Sequence, residues 1–471
     1  MQIIHISAEC YPVAKVGGLA DVVGALPKYQ KKLGYNSVVI MPFYNNKFVK
    51  ENNFKVVYES TPKSNRTTFN YRVLTLENSI LDFDVYFIDI PDLLFKDYVY
   101  SSNDTERFVA FQIAALNWVL TWKKKPSIFH CHDHHTGLIP FMLQECYVYN
   151  SLNDIPVIFT IHNAQYQGWF SKDKVAYIPE FNFQKFGLLE WGDFINPLAA
   201  AIKCSWRVTT VSPSYMQELQ MEANGLESLL RSEANKCVGI LNGIDASVWN
   251  PKTDTYIVKN YDVKSIVSGR KANKEFLCKQ FNLDPNKPLF AFIGRLVGEK
   301  GADLLPEAIY RALQYKEINA LVLGSGQKDI ETALHLIIKD NEGLYNSYIG
   351  YDERLSHIIY AGADFLLMPS RVEPCGLNQM YSLRYGTIPI VRRIGGLKDT
   401  ITDIGDENGF GICHDKVTVT DIISGIGRGL NLYKDQPRFK KIRKYIMSID
   451  HSWNVSAQEY INLYKSQNKK L

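Results

Sequence analysis

Lys15 stands two residues ahead of a glycine pair, Gly17 and Gly18, in the stretch KVGGLADVVGALPK. A lysine that only faces water needs no glycines beside it. A lysine that meets an anion does, because bare backbone lets the ligand approach the N–H groups. Gly17, Gly18 and Leu19 open a helical pattern, so the positive helix end is expected to face outward with the Lys15 charge beside it. The plainer alternative is a helix start with a solvated lysine. The spacing is not G-x-G-x-x-G, and no Gly-Lys-Ser or Gly-Lys-Thr follows, so neither the dinucleotide fingerprint nor the P-loop is present.

Four further loops carry chemistry. In IGRLVGEKGADLL, Arg295 and Lys300 lie past a strand end among Gly294, Gly298 and Gly301. Two cations on such a loop suit a diphosphate, although Glu299 is a ready partner for either. In MPSRVEPCGLNQMYSLRYG, Glu373 follows a strand end and Pro374 stiffens the turn. Gly376 then leads into a helix from about Asn378, which aims the N–H groups of Gly376 and Leu377 at an anion. A carboxylate at that place suits sugar hydroxyls as a hydrogen-bond acceptor; alone, it also reads as an acid on the helix dipole. In FHCHDHHTGLIP, four of the ten histidines cluster with Asp133. This approaches the zinc-hydrolase pattern H-x-H-x-D-H through His130, His132 and His135, but Asp133 is one position early and His134 fills its place. On a strand, a one-residue slip turns the carboxylate to the opposite face, so no metal is assigned. In FTIHNAQYQGWF, His162 and Asn163 end a strand beside Tyr166 and Gln167, a polar set that suits a sugar.

These loops need a scaffold that aligns strand ends. Short apolar runs alternate with helical patterns along the chain: QIIHIS, SVVIMPF, VYFIDI, SIFHCH, PVIFTIH and RVTTVS in one half, LFAFIGRL, ALVLGSG, FLLMPS and IPIVRR in the other. Alternation of this kind predicts parallel sheets with helices on both faces, and there are strands enough for two. A polar loop is expected after SVVIMPF, one helix over LIPFMLQECYVY, and helices near 303–314, 329–339 and 378–385. The stretch WNPKTDTYIVKNYDVKSIVSG reads as the linker. The expected domains are 1–245 and 246–450, with a closing helical segment, 451–471. Periodicity does not decide which half that helix covers; packing back on the N-terminal domain is carried as the expectation. Ligands of open parallel sheets bind at the carboxyl ends of the strands, which here implies a cleft between the two domains.

At 471 residues the length itself favours more than one domain. The net charge of +4 is too mild to argue for nucleic acid or an anionic membrane. No apolar run is long enough for a membrane span, and MQIIHIS reads as a strand rather than a signal peptide. The eight cysteines show no regular spacing, as reduced thiols would. A cytoplasmic protein is expected.

Taken together, KVGGLADVVGALP, HCHDHHTGLIP, FTIHNAQYQG, TTVSPSY, ILNGIDASVWNP, IGRLVGEKG, GYDERLSH, EPCGLNQMYSLRYG and SWNVSAQEY resemble the bacterial glycogen synthases and plastid starch synthases, in family order over nearly the whole chain. The resemblance implies a GT-B fold of two Rossmann-like doubly wound domains and a retaining glucosyl transfer from ADP-glucose to the non-reducing end of an α-1,4-glucan. It also implies roles for particular residues. Lys15, Arg295 and Lys300 meet the donor diphosphate. His162 offers its carbonyl to the anomeric carbon and its side chain to the glucose, and Glu373 holds sugar hydroxyls. Cys375, Gly376 and Leu377 lend backbone donors, Asn242 contacts glucose, and Tyr351 stacks on adenine. Gly17, Gly18, Asp21, Asp133 and Asn163 line the glucose and acceptor region. Two positions depart from the family: His134 replaces the usual tryptophan of the histidine motif, and Tyr381 stands where the wider fold places a second glutamate, so ribose contacts are not assigned.

Double displacement requires a carboxylate behind the anomeric carbon. Glu373 is expected on the hydroxyls, so front-face substitution is the expected course, with lysine and arginine in place of a metal and no cofactor. The two other function classes weighed are a zinc hydrolase using the histidine cluster and an idle glucan- or nucleotide-binding protein. Binding glucan alone would not need Lys15, Arg295, Lys300 and Glu373 together.

Overall fold

A computed structural model describes residues 1–61, 69–78 and 80–468, so residues 469–471 of the expected closing segment lie outside it. The chain forms two compact units, Met1–Asn242 joined by Trp453–Leu471, and Gly243–Ser452.

The first unit holds β1 (Gln2–Ile6), β2 (Asn36–Pro42), β3 (Phe54–Ser60), β4 (Tyr71–Leu76), β5 (Asp84–Asp89), β6 (Ile128–His132), β7 (Val157–Ile161), the short hairpin β8 (Glu190–Trp191) and β9 (Phe194–Ile195), β10 (Arg207–Thr210) and β11 (Cys237–Gly239). Its main sheet runs β11-β10-β7-β6-β1-β2-β5-β4-β3. The strands from β11 to β5 are parallel. β6 and β7 are buried along their whole length, which is why they read as unbroken apolar runs with histidine or threonine inserted. β4 pairs antiparallel with both β3 and β5. This edge replaces the polar loop expected after β2. β3 is largely exposed, and an edge strand open to water shows little of the apolar run that marks a buried one.

The second unit holds β12 (Leu289–Ile293), β13 (Asn319–Gly324), β14 (Tyr345–Ile349), β15 (Phe365–Met368), β16 (Ile388–Arg392) and β17 (Ile412–His414), all parallel in the order β14-β13-β12-β15-β16-β17. Phe290, Val322, Leu366 and Ile390 of the sheet share one core with Leu305 and Ile309 from one helix and Ile426 from another.

Three expected elements differ. The helix predicted over LIPFMLQECYVY stops at Glu145; Cys146 is extended, in a bridge with Phe181, and a 3₁₀ segment follows at Tyr147–Leu152. The helix expected near 303 starts at Leu305, after a 3₁₀ turn at Ala302–Leu304. The expected linker is not a spacer. Trp249 stacks between His357 and Tyr381 with ring centroids 3.8 Å from each. Asp254 accepts hydrogen bonds from His357 and Tyr385 at 2.7 and 2.5 Å, and Ile257 and Tyr261 join the core. Its polar side chains are partners of buried groups, so the unit begins at Gly243, just ahead of the expected Asp245.

The closing helix, Trp453–Asn468, buries Trp453, Ala457, Tyr460, Ile461 and Tyr464 in one cluster with Ile3, Val22, Leu26, Ile128 and Ile158 of the first unit. The spacing of the five places them on one helix face.

Candidate active site

In the first unit, the sequence-predicted residues follow the carboxyl ends of β1, β6, β7 and β11. Lys15 Nζ pairs with Asp21 at 2.7 Å, near the start of the helix Gly18–Lys32. Of the N–H groups expected to face outward, that of Gly17 is already engaged: with Val16 N–H it donates to Glu9 Oε2, at 2.9 and 2.5 Å respectively, and Tyr100 donates to Glu9 Oε1 at 2.5 Å. Glu9, just past β1, thus occupies the anion position of this loop; an acid directly after a strand end was its only sequence signal. A Cβ added to Gly17 or Gly18 would meet nothing within 4 Å.

Asp133 follows β6 with φ 56° and ψ 175°, a strained conformation for a residue with a side chain. The strain aims its carboxylate at the next strand end, where Oδ1 accepts from the His162 backbone N–H at 2.7 Å. Desolvation pushes this carboxyl up to about 7, against the backbone donors of His162 and Asn163, and the Glu9 charge adds to the rise. Asn163 closes its own turn by accepting from Gln165 N–H. His162 is buried, and its Nε2 meets His132 Nδ1 at 3.1 Å. Burial pushes His162 down to about 3, so at neutral pH it is an uncharged ring and no proton donor to a leaving group. Asn242, just past β11, keeps Oδ1 buried without a hydrogen-bond partner among the described residues, a polar atom suited to a ligand hydroxyl.

The histidine cluster does not assemble as H-x-H-x-D-H. His130 and His132 alternate on β6 and face His5 of β1, and ring nitrogens of these three lie within 4.8 Å of one another. All six of those nitrogens already have protein partners: Gln30, Tyr464, Thr160, His162 and, between them, His5 and His132. His135 is elsewhere, stacked on Tyr100 and edge-on to Phe108. His134, in place of the family's tryptophan, packs on His135 and under Gly168, where an added Cβ would lie 2.3 Å from its Cδ2.

In the second unit, Lys300 and Glu373 come together although they are far apart in sequence. Lys300 Nζ donates to both Glu373 oxygens at 2.7 and 2.8 Å, and Ser370 Oγ donates to one of them at 2.9 Å. Glu373 is buried. Arg295 turns instead to Glu299 at 3.2 Å and stays largely exposed. Arg371, which sequence reading passed over, grips Asp303 with two nitrogens at 2.5 and 2.8 Å, and its backbone N–H bonds Glu299 O. It clamps the loop of Lys300 onto the loop of Glu373.

Gly376 adopts φ +73°, and a Cβ there would lie 2.5 Å from Gln379 Oε1. Gln379 Nε2 in turn bonds the carbonyls of Cys375 and Gly376. Leu377 and the helix Asn378–Tyr385 follow. A Cβ on Gly395, in the turn after β16, would strike the Glu373 carbonyl at 2.0 Å, so only a glycine lets the two strand-end loops pack this closely. Tyr351 is 79% exposed, as a ring that meets a flat ligand at the surface would be. Tyr381 is held against Trp249, which gives it a packing role in place of the second acid.

Residues 2–232 match the starch synthase catalytic domain family and residues 273–444 match glycosyl transferases group 1. The chain is 54% identical over 467 residues to a glycogen synthase of Flavobacterium johnsoniae, covering 98% of each chain. It is 36% identical to a glycogen synthase of Anoxybacillus flavithermus, covering 98% and 97%. Among solved structures, the catalytic domain of starch synthase IV from Arabidopsis thaliana, bound to ADP and acarbose, superposes with a TM-score of 0.88 at 33% identity over 99% of each chain. A sucrose-phosphate synthase of Thermosynechococcus elongatus shares the fold at a TM-score of 0.65 and 17% identity.

Proposed function

Since the chain belongs to the glycogen synthase and starch synthase family of glycosyltransferases, we propose that it transfers glucose from ADP-glucose to the 4-hydroxyl at the non-reducing end of an α-1,4-glucan, with retention, in glycogen synthesis. The observation that carries this reading is the Lys300–Glu373–Ser370 constellation at the ends of two parallel strands, beside the Gly376 turn. A hydrolase acting through two acids would not tie its buried glutamate to a lysine. A carrier of diphosphate and sugar needs both groups, one for each half of the donor.

Breaking the anomeric bond puts negative charge on the diphosphate and positive charge on the sugar. Lys300, Arg295 and Lys15 stabilise the first, with backbone donors of Cys375, Gly376 and Leu377. Preorganised groups of this kind are worth about 3–4 kcal/mol each in a transition state. The three cations pair with Glu373, Glu299 and Asp21 within the chain. Arrival of the diphosphate gives each a better partner, and Glu373 is released to accept from sugar hydroxyls. Asp133 accepts from the backbone N–H groups of His162 and Asn163; the second belongs to the peptide that carries the His162 carbonyl, so under this reading it orients that carbonyl toward the developing sugar cation. Asn242 and Asp21 contact glucose, Tyr351 covers the adenine, and Asn163, with Asp133, serves the acceptor side. On this reading lysine and arginine supply the positive charge in place of a divalent ion, and the eight free thiols suit a reducing cytoplasm. No helix among the described residues is long and apolar enough to cross a membrane.

Incubation with radiolabelled ADP-glucose or UDP-glucose plus glycogen tests the reading. Label is expected in the polymer from ADP-glucose. No incorporation from either donor would overturn it.

A further inference from the structure

A buried chain of hydrogen bonds leads away from His162. Its Nε2 meets His132 Nδ1 at 3.1 Å, His132 Nε2 meets His5 Nδ1 at 3.1 Å, and His5 Nε2 meets Gln30 Oε1 at 2.8 Å. His132, His5 and Gln30 are all completely buried. The Gln30 amide is itself held from two sides: Ser37 Oγ lies 2.7 Å from Oε1, and Tyr464 OH of the closing helix lies 3.2 Å from Nε2. Tyr464 OH goes on to His130 Nδ1 at 2.7 Å, and His130 Nε2 to Thr160 Oγ1 at 2.6 Å.

A neutral imidazole has one donor and one acceptor nitrogen, so the direction at one end of such a chain dictates every ring along it. The lengths at Gln30 give the direction. The contact with Ser37 has the length of O–H···O bonds, which cluster at about 2.7–2.8 Å. The contact with Tyr464 is longer than the O–H···O range, about 2.5–3.0 Å, and falls inside that of N–H···O. The amide oxygen therefore faces His5 and Ser37, and the amide nitrogen faces Tyr464. It follows that His5 donates from Nε2 and accepts at Nδ1, His132 donates from Nε2 and accepts at Nδ1, and His162 donates from Nε2. Burial keeps the rings uncharged: it lowers His162 to about 3 and His5 to about 4, and holds His132 well below the usual imidazole range. His162 Nδ1 is left as a lone-pair acceptor with no hydrogen bond to the described residues.

We propose that Gln30, through His5 and His132, is a positioning residue that fixes His162 in its Nε2–H tautomer, so that Nδ1 meets the substrate only as a hydrogen-bond acceptor. The group that meets it must be a donor; under the glucosyltransferase reading, on which this last identification rests, it is a hydroxyl of the transferred sugar. An Nδ1–H ring would present a donor there and turn that hydroxyl's own lone pair inward. Tyr464 locks the amide from the far side, so the closing helix takes part in setting a ring it does not touch.

Two-bond ¹H–¹⁵N correlation spectra of the full chain with ¹⁵N-histidine read the tautomer directly, with His162 assigned by its loss in His162→Gln. The expected result at neutral pH is His162 protonated at Nε2 and bare at Nδ1. In Gln30→Met the anchor is gone; a mixture of tautomers is expected, with kcat lowered about tenfold and ADP affinity changed less than twofold. A wild-type ring protonated at Nδ1, charged or already mixed overturns the proposal, as does a Gln30→Met variant that keeps a pure Nε2–H ring. If Gln30→Met does not fold, the wild-type spectrum decides alone. A wild type with the expected tautomer but no transferase activity would uphold the relay and count against the transferase reading.

Discussion

Glu373 and Asp133 are both acids at strand ends, yet their surroundings set them to different tasks. Glu373 is bound by Lys300 and Ser370 and is assigned to sugar hydroxyls. Glu373→Gln keeps the size and some hydrogen bonding but loses the charge. It should lower kcat by about 10²–10³ while the ADP dissociation constant, by calorimetry, moves less than about threefold; ADP affinity falling in step with turnover would make Glu373 part of the phosphate loop. Asp133 pairs with no cation among the described residues, and burial raises its carboxyl from 3.8 to about 7. Between those values the folded chain keeps a proton that the unfolded chain has released, so stability falls as pH rises through this window and the loss is complete above it. Asparagine has no such slope, still accepts from the His162 N–H, and tolerates positive φ better than most residues. Asp133→Asn is therefore expected to gain Tm relative to wild type as pH is raised from 5 to 8, at a cost in activity. Parallel Tm curves over that range would show that Asp133 titrates normally.

Elements rather than single residues decide how these groups are held. The closing helix returns to the first unit and supplies five side chains to its core. Ile461→Ala removes a fully buried side chain from that cluster and should cost about 2–5 kcal/mol in urea unfolding. Val455→Ala, on the exposed face of the same helix, should change stability by less than about 0.5 kcal/mol. Equal effects would mean the helix does not pack as described. The strand β6 shows the same division of labour. Its odd face carries apolar side chains into one layer, and its histidines line a polar seam with β1 that ends at His162.

At the scale of the molecule, the two units are built unequally. The second is a continuous segment, Gly243–Ser452, with its own core, whereas the first is closed only by the chain's end. A 243–452 fragment should fold alone, with cooperative thermal unfolding by circular dichroism. A 1–242 fragment, lacking Trp453, Tyr460 and Ile461, should aggregate unless a 453–471 peptide is supplied. Folding of 1–242 by itself would contradict the packing of that helix. Activity of the whole chain should be unchanged in excess EDTA, because lysine and arginine carry the positive charge; a loss restored by a divalent ion would refute metal independence.

Much of this protein was legible from the chain itself. Buried parallel strands are locally apolar, and ligand loops need glycine next to charge, so both are visible within a few residues of one another. Lys15, Glu373 and the turn at Gly376 announced themselves that way, and the alternation of runs announced two sheets. What stayed hidden was pairing. Lys300 reaches Glu373 across 73 positions, His5 reaches His132 across 127, and Tyr464 reaches His130 across 334. No local pattern encodes such partners, because they are set by strand order and by the return of the last helix. The packed stretch around Trp249 was missed for the same reason. The polar edge strand β3 was missed because an exposed strand lacks the apolar run of a buried one, and the capture of the Val16 and Gly17 N–H groups by Glu9, only 7 and 8 positions away, because the turn that makes it has no residue-type signature. A residue's type states which bonds it can make; only the folded register decides which of them it makes.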